Sequence, residues 1–217
     1  MNKRDRMAEW DVYLVMDLEG HGRFSALELA KEAIEGGVRV VQIREKRMGD
    51  AEFIQLASPI QQLCQEKNAV FIINDRLSLA VEMKADGLHL GQDDLPEGNV
   101  RELIGEEMIL GISASSVEEA LKGIEHGADY LGVGSIYPTH SKSDAGDAVT
   151  PSLITDIRRL TELPIVGIGG IQLGFAAPVI HAGGNSVAVI SAVCHAESPK
   201  QAAVALKKEI QAAKQKV

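Results

Sequence analysis

Two aspartates follow consecutive short apolar runs near the middle of the chain. Asp75 comes directly after Phe71-Ile-Ile-Asn, and Asp94 ends the segment Asp86-Gly-Leu-His-Leu-Gly-Gln-Asp-Asp. If the two runs are neighbouring parallel strands, both carboxylates lie at the same edge of the sheet. Mg²⁺ prefers oxygen ligands and is commonly held by one or two carboxylates, water and substrate phosphates. The pair therefore predicts a Mg²⁺ site for diphosphate chemistry.

Positive charge follows an earlier apolar run. In Gln42-Ile-Arg-Glu-Lys46, the residues Gln42, Arg44 and Lys46 stand two apart, so an extended chain points them to the same side. They could clamp a diphosphate, and the alternative is an ion pair with a carboxylate of a neighbouring strand. The whole segment, including Ile43 and Glu45, is predicted to bind substrate, although the alternation turns the Glu45 side chain away.

Two further segments offer phosphate contacts. Gly167-Ile-Gly-Gly-Ile171 and Ile190-Ser-Ala192 follow late apolar runs, and glycine lets backbone N–H groups approach an anion. The non-periodic stretch Tyr137 to Thr150 carries Thr139, Ser141 and Lys142, whose hydroxyls and ammonium could close over phosphate oxygens. The alternatives are plain tight turns for the glycines and a solvated surface loop for the long stretch.

The elements that must position these residues alternate along the whole chain. Periodicity predicts eight strands, at 12–16, 38–43, 69–73, 87–90, 108–112, 130–133, 165–168 and 187–190. Helices are predicted at 26–35, 51–67, 117–126 and 198–214, and three of the helix-to-strand junctions contain glycine. Eight repeated units favour a single α/β domain over residues 1–217, a (β/α)8 TIM barrel, with residues 1–10 as a short polar extension. A doubly wound sheet is the alternative, because periodicity does not show whether the sheet closes.

Composition limits the classes of function. Apolar residues make up 45% and aromatic residues only 4%, which suits a core of buried parallel strands. The net charge of −9 argues against a nucleic-acid partner. We expect a cytoplasmic protein without a membrane association, because no signal peptide or long apolar run is evident. Cys64 and Cys194 lack the spacing of a metal or redox motif, so free thiols are expected.

Six segments in order resemble the thiamine-phosphate synthase family. They are Gln42-Ile-Arg-Glu-Lys46, Ile73-Asn-Asp-Arg76, Asp86-Gly-Leu-His-Leu-Gly-Gln-Asp-Asp94, Gly127-Ala-Asp-Tyr-Leu-Gly-Val-Gly134, Pro138-Thr-His-Ser-Lys142 and Pro164-Ile-Val-Gly-Ile-Gly-Gly170. Each motif is weak by itself, but the ordered set covers nearly the whole chain.

The resemblance implies a transferase that joins 4-amino-2-methyl-5-hydroxymethylpyrimidine diphosphate to 4-methyl-5-(2-phosphoethyl)thiazole, or its carboxylate, and releases diphosphate. It implies that the partners are small phosphorylated heterocycles and that Mg²⁺ is the cofactor, while a homo-oligomer stays open. By resemblance, the metal ligands are Asp75 and Asp94, and the pyrimidine diphosphate is held by Gln42, Arg44, Lys46, Asn74, Ser113 and Lys142. The thiazole phosphate is surrounded by Thr139, Ser141, Gly170, Ile190 and Ser191, with His140 in the same loop.

The resemblance also implies the mechanism. An electron-rich aminopyrimidine can stabilise a carbinyl cation, so diphosphate leaves before the thiazole nitrogen attacks, and no protein nucleophile is needed. Arg44, Lys46, Lys142 and Ser113 are then expected to act on the leaving group and the pyrimidine.

The sequence leaves two alternative functions open. One is a thiazole tautomerase of the same superfamily, which is expected to use a histidine at the position of Ser115. The other is a non-catalytic protein that binds a thiazole or pyrimidine phosphate, which would have no need for both acids and Lys142.

Overall fold

The computed structural model describes residues 3–17, 23–139 and 148–216. Within these residues eight parallel strands form a closed barrel in sequence order, and the last strand pairs with the first. The strands are β1 (Val12–Asp17), β2 (Val40–Arg44), β3 (Val70–Asn74), β4 (Gly87–Leu90), β5 (Ile109–Ala114), β6 (Tyr130–Val133), β7 (Ile165–Ile168) and β8 (Ser186–Val189). The predicted (β/α)8 barrel is confirmed, and closure excludes the doubly wound sheet.

Alternation along each strand divides the buried residues into two layers. On β1, Leu14 and its neighbours at every second position pack outward against the helices, while Tyr13 and Val15 point into the barrel. The outer layer is the larger of the two, and it consists almost entirely of Val, Ile, Leu and Ala. This arrangement explains why the strand sequences read as nearly continuous apolar runs.

The helices of the described residues surround the barrel. They are α1 (Lys3–Ala8), α2 (Ala26–Glu35), α3 (Asp50–Glu66), α4 (Leu77–Glu82), α5 (Val100–Ile104), α6 (Val117–Glu125), α7 (Ser152–Arg158), α8 (Ala176–His181), α9 (Ser191–Cys194) and α10 (Pro199–Lys214). A 3-10 helix at Gln92–Asp94 follows β4. Of the three predicted glycine junctions, each has a glycine at positive φ just beyond its helix: Gly37 at 100°, Gly127 at 77° and Gly183 at 105°.

The chain start differs from the polar extension predicted for residues 1–10. Residues Lys3–Ala8 form α1, and the side chains of Met7 and Trp10 are 3% and 1% exposed. Trp10 packs edge-on against Tyr13 and Tyr130, with ring centroids 5.7 and 5.2 Å apart. The segment therefore covers the end of the barrel where the strands begin, and its apolar residues belong to the core.

The loop between β7 and α8 is held by the last helix. Glu209 on α10 accepts backbone hydrogen bonds from Gly174, Ala176 and Ala177 at 2.7, 2.9 and 2.9 Å. Helix α8 has no side-chain cap of its own, so this carboxylate satisfies N–H groups that would otherwise lack a partner in the helix. Among the described residues, no helix is both long and apolar enough to cross a membrane.

Candidate functional site

A cavity of about 400 Å³ opens at the end of the barrel where the strands terminate. In a (β/α)8 barrel this face carries the loops that follow each strand, so residues distant in sequence converge there. The cavity is lined by Arg44, Lys46, Asn74, Asp75, Gly91, Gln92, Asp93, Asp94, Ser113, Ala114, Ser115, Glu119, Gly132, Gly134, Ser135, Thr139, Ile168, Gly169, Gly170, Ile171, Ala188, Val189, Ile190 and Ser191. Most of the predicted site residues therefore share one cavity.

The two acids face each other across adjacent strand ends. Asp75 follows β3 with a φ of 61°, and its backbone N–H donates to the carbonyl of His89 on β4 at 2.9 Å. Asp94 closes over Gly91, where a Cβ would lie 2.7 Å from Asp94 Oδ2. Partial burial raises the pKa of Asp94, and the neighbouring Asp75 carboxylate raises this pKa further. Two carboxylates that repel one another in this way attract a cation.

The donor set fits a hard divalent ion. Asp75 Oδ2 is buried and takes no hydrogen bond among the described residues, although Lys46 Nζ lies 3.1 Å away as an ion pair. No cluster of three or more His, Cys, Asp or Glu side chains suited to a metal exists in the described part of the chain. Two carboxylate ligands with space for water and phosphate are what Mg²⁺ sites commonly offer, whereas an all-protein zinc or calcium site needs more ligands.

The basic residues after β2 lie beside the acids. Arg44, at the end of β2, is 8% exposed, and Lys46 is half-exposed. The Lys46–Asp75 ion pair was the alternative explanation for this motif, and it is present. The same ammonium also lines the cavity, so it lies where an incoming diphosphate would meet both a cation and the acidic pair.

The other residues of this segment have different surroundings. Gln42 is 2% exposed and does not line the cavity, because its amide lies deeper in the barrel and donates to Tyr13 Oη at 2.7 Å. Ile43 is fully buried in the layer between barrel and helices. Glu45 accepts hydrogen bonds from the backbone N–H groups of Arg47 and Met48 at 2.7 and 3.1 Å. Glu45 thus shapes the loop after β2, and its side chain faces away from the cavity lining.

The opposite side of the cavity consists of glycines and hydroxyls. Gly169 and Gly170 follow β7 with φ of 100° and 64°, and a Cβ at Gly169 would lie 2.5 Å from Ser135 Oγ. Ser191 begins α9 after β8, and Gln172 Nε2 donates to its hydroxyl at 3.2 Å. Exposed backbone N–H groups at such glycines can bind a phosphate.

The remaining sequence predictions concern the loop that contains Thr139 and the position of Ser115. Thr139 lines the cavity, whereas His140, Ser141 and Lys142 lie outside the described residues. At the position that distinguishes the tautomerase alternative, Ser115 donates through its backbone N–H and hydroxyl to Glu119 Oε2 at 2.6 and 2.8 Å.

Several residues at or below the cavity were not predicted from sequence. Gln92 Nε2 donates to the carbonyl of Ser113 at 2.6 Å and so fixes the end of β5. Tyr13 and Tyr130 lie inside the barrel below the cavity. Tyr130 Oη contacts His89 Nδ1 at 2.9 Å. Both ring nitrogens of His89 have partners, because Nδ1 contacts Tyr130 and Nε2 lies 2.9 Å from Ser113 Oγ. The alternation of side chains along β1 indicates that Tyr13 points into the barrel. It does not identify the residue that Tyr13 contacts on the other side.

Comparisons with known proteins agree with this geometry. The family described as thiamine monophosphate synthase matches residues 12–193. The chain is 44% identical over 210 residues to the thiamine-phosphate synthase of Moorella thermoacetica, covering 97% of this chain and 100% of that one. It is 46% identical over 218 residues to the thiamine-phosphate synthase of Geobacillus kaustophilus, covering 97% and 95%. A solved structure, the thiamine phosphate pyrophosphorylase from Pyrococcus furiosus, superposes with a TM-score of 0.86 at 34% identity, covering 95% and 98%.

Proposed function

The chain belongs to the thiamine-phosphate synthase family, whose reaction condenses a pyrimidine and a thiazole moiety, and we propose that the cavity at the strand ends carries out this reaction by dissociative loss of diphosphate. The enzyme acts on phosphorylated heterocycles. The observation that carries the proposal is the mutual arrangement of Asp75, Asp94, Arg44 and Lys46, which places an acidic pair and two cations in one cavity.

Asp75 and Asp94 are the residues that would hold Mg²⁺. When bound there, the ion would supply positive charge to the oxygens of the departing diphosphate. Arg44 offers a planar fork of donors for phosphate oxygens, and Lys46 offers a mobile point charge. Lys46 Nζ lies 3.1 Å from Asp75 Oδ2 and lines the same cavity, so its ammonium is placed to contact a diphosphate beside the acidic pair. On the family resemblance, we propose that Lys142 is a third cation that contacts the diphosphate.

The remaining residues orient the two heterocycles. Asn74 and Ser113 are proposed to contact the pyrimidine diphosphate. Thr139, Gly170, Ile190 and Ser191 are proposed to surround the thiazole phosphate, together with His140 and Ser141 by resemblance. No protein nucleophile is needed, because the C–O bond to diphosphate breaks first and its electron pair leaves with the diphosphate. The thiazole nitrogen then forms the new C–N bond to the cationic methylene.

The test is Mg²⁺-dependent release of diphosphate when both heterocyclic substrates are mixed with the pure protein. We expect release with both substrates, and in this assay Asp75→Asn should need more Mg²⁺ for the same rate. Asparagine tolerates the positive φ of position 75, so this variant changes the ligand without straining the backbone. Normal turnover of Asp75→Asn at low Mg²⁺ would reject the metal assignment, and binding without turnover in the unmodified protein would reject the reaction.

A further inference from the structure

A chain of buried hydrogen bonds crosses the barrel and ends at the cavity. Gln42 Nε2 donates to Tyr13 Oη at 2.7 Å, and Tyr13 Oη lies 2.8 Å from Tyr130 Oη. Tyr130 Oη is 2.9 Å from His89 Nδ1, and His89 Nε2 is 2.9 Å from Ser113 Oγ. Ser113 is the one member of this chain that lines the cavity. The four contacts thus connect β2, β1, β6, β4 and β5 below a proposed substrate contact.

The barrel leaves space for this chain at two glycines. A Cβ at Gly111 would lie 2.1 Å from the Tyr130 ring carbon Cζ, and a Cβ at Gly132 would lie 2.9 Å from His89 Cε1. Both glycines lie on strands and have no positive φ, so their backbone conformation does not require glycine. Their small size instead makes room for the two rings. The rings are therefore built into the barrel and are not incidental contacts.

The direction of the hydrogen bonds follows from counting donors. Each tyrosine hydroxyl has one hydrogen, and Gln42 already donates to Tyr13. If Tyr13 donates to Tyr130 and Tyr130 donates to His89 Nδ1, both hydrogens are used. The reverse direction leaves the Tyr13 hydrogen without an acceptor in this chain, and Tyr13 is only 2% exposed. The forward direction places the imidazole proton on Nε2.

We propose that His89 is a positioning residue whose Nε2–H donates to Ser113 Oγ and thereby turns the Ser113 hydroxyl hydrogen toward an acceptor atom of the bound pyrimidine substrate. The proposal rests on the proposed function, because it takes Ser113 as a substrate contact. A serine hydroxyl by itself can rotate between donor and acceptor roles. Because His89 donates to the Ser113 oxygen, the hydroxyl does not use its own hydrogen on His89 and can present that hydrogen to the cavity.

The protonation states of Tyr13 and Tyr130 are compatible with this direction of hydrogen bonding. Burial raises the pKa of Tyr13, and burial also raises the pKa of Tyr130 well above its ordinary value. Both hydroxyls therefore keep their hydrogens near neutral pH. Gln92 adds a second restraint, since its amide holds the Ser113 carbonyl at 2.6 Å. Backbone and side chain of Ser113 are thus fixed by different partners.

The first test reads the proton position directly and does not depend on activity. Nitrogen NMR of the ¹⁵N-labelled protein near neutral pH should show the His89 ring as neutral with the proton on Nε2. The loss of that signal in His89→Gln would assign it among the six histidines of the chain. A ring that carries its proton on Nδ1, or on both nitrogens, would overturn the proposed direction.

The second test uses a matched pair of variants. The amide of glutamine can reach the position of imidazole Nε2, and the shorter asparagine can reach that of Nδ1. His89→Gln should therefore keep the Ser113 contact and hold kcat/KM for the pyrimidine substrate within about threefold of normal, while His89→Asn should lower it about tenfold, as for loss of one hydrogen bond. The KM for the thiazole should stay unchanged in both. Thermal unfolding shows whether each variant is folded.

A double-variant comparison separates positioning from a merely structural role. In a Ser113→Ala background, His89→Asn should cause no further loss of kcat/KM, because its effect passes through the missing hydroxyl. An equal loss in both backgrounds, or a larger loss in His89→Gln than in His89→Asn, would overturn the proposal. Failure of the proposed function looks different: the unmodified protein would release no diphosphate, while the NMR result would still decide the proton position.

Discussion

Replacing Asp94 with asparagine should weaken Mg²⁺ binding without destabilising the metal-free protein. In the metal-free state the Asp94 carboxylate faces that of Asp75, and burial and this neighbour both raise the pKa of Asp94. Asparagine removes the repulsion and keeps the side-chain shape. Because Asp94 is only partly buried and solvent screens the repulsion, the gain in stability without metal should stay below about 1 kcal/mol.

The size of the metal effect follows from linkage. A ligand present at about 100 times its Kd stabilises the native state by about 2.7 kcal/mol, which corresponds to about 5 to 11 °C in Tm for a protein of this length. Loss of one charged partner worth about 3 kcal/mol lowers affinity by about a hundredfold. At the same Mg²⁺ concentration, Asp94→Asn would then retain only about 0.4 kcal/mol of stabilisation, or about 1 °C.

The assay is thermal unfolding of both proteins with and without Mg²⁺ at constant ionic strength, after calorimetry has measured the Kd of the unmodified protein. Asp93→Asn is the matched control, because it removes the same charge one residue away and Asp93 also lines the cavity. The control should keep the shift in Tm of the unmodified protein. A full Mg²⁺ shift in Asp94→Asn, or an equal loss in both variants, would refute the two-carboxylate site.

Three further predictions concern pH, charge and the loop after β7. Mg²⁺ affinity should fall as pH drops through the raised pKa of Asp94, because the protonated carboxyl does not bind the ion. Calorimetry at decreasing pH should detect this loss of affinity at a higher pH than an ordinary aspartate would give. Lys46→Met should lower kcat about a hundredfold and leave the KM for the thiazole unchanged, as measured by diphosphate release; an unchanged kcat would remove Lys46 from leaving-group stabilisation. Glu209→Ala should lower the free energy of unfolding by about 1 to 2 kcal/mol in denaturant titrations, since three backbone N–H groups lose their acceptor. An unchanged midpoint there would show that water replaces the carboxylate.

The site could be predicted only in part. Asp75 and Asp94 follow apolar runs that proved to be neighbouring strands, so their meeting at one edge could be deduced from the order of elements alone. Arg44 and Lys46 reach the cavity as their spacing predicted. Gln42 points to the same side of β2 as Arg44 and Lys46. It lies earlier on the strand and therefore deeper in the barrel, where its amide donates to Tyr13. Alternation shows which way a side chain points and says nothing about how far from the mouth it lies.

The fold was predictable to a similar degree. Strand positions agreed with the structure within about two residues, because β-branched runs bounded by glycine and polar junctions are a local signal. The burial of Met7 and Trp10 was not predictable from the charged stretch in which they stand. Their place under the barrel depends on Tyr13 and Tyr130, which lie on strands far apart in the chain.

By itself, the order of residues determined the strands, the glycine stops and the acids and bases that follow successive strands, because each of these depends on neighbours within a few positions. Only the tertiary structure decided that β8 pairs with β1 and that His89 connects Ser113 to Tyr130. Both depend on how strands tilt and shift against one another when the sheet closes. That geometry is a property of the whole barrel, and no segment of sequence carries it separately.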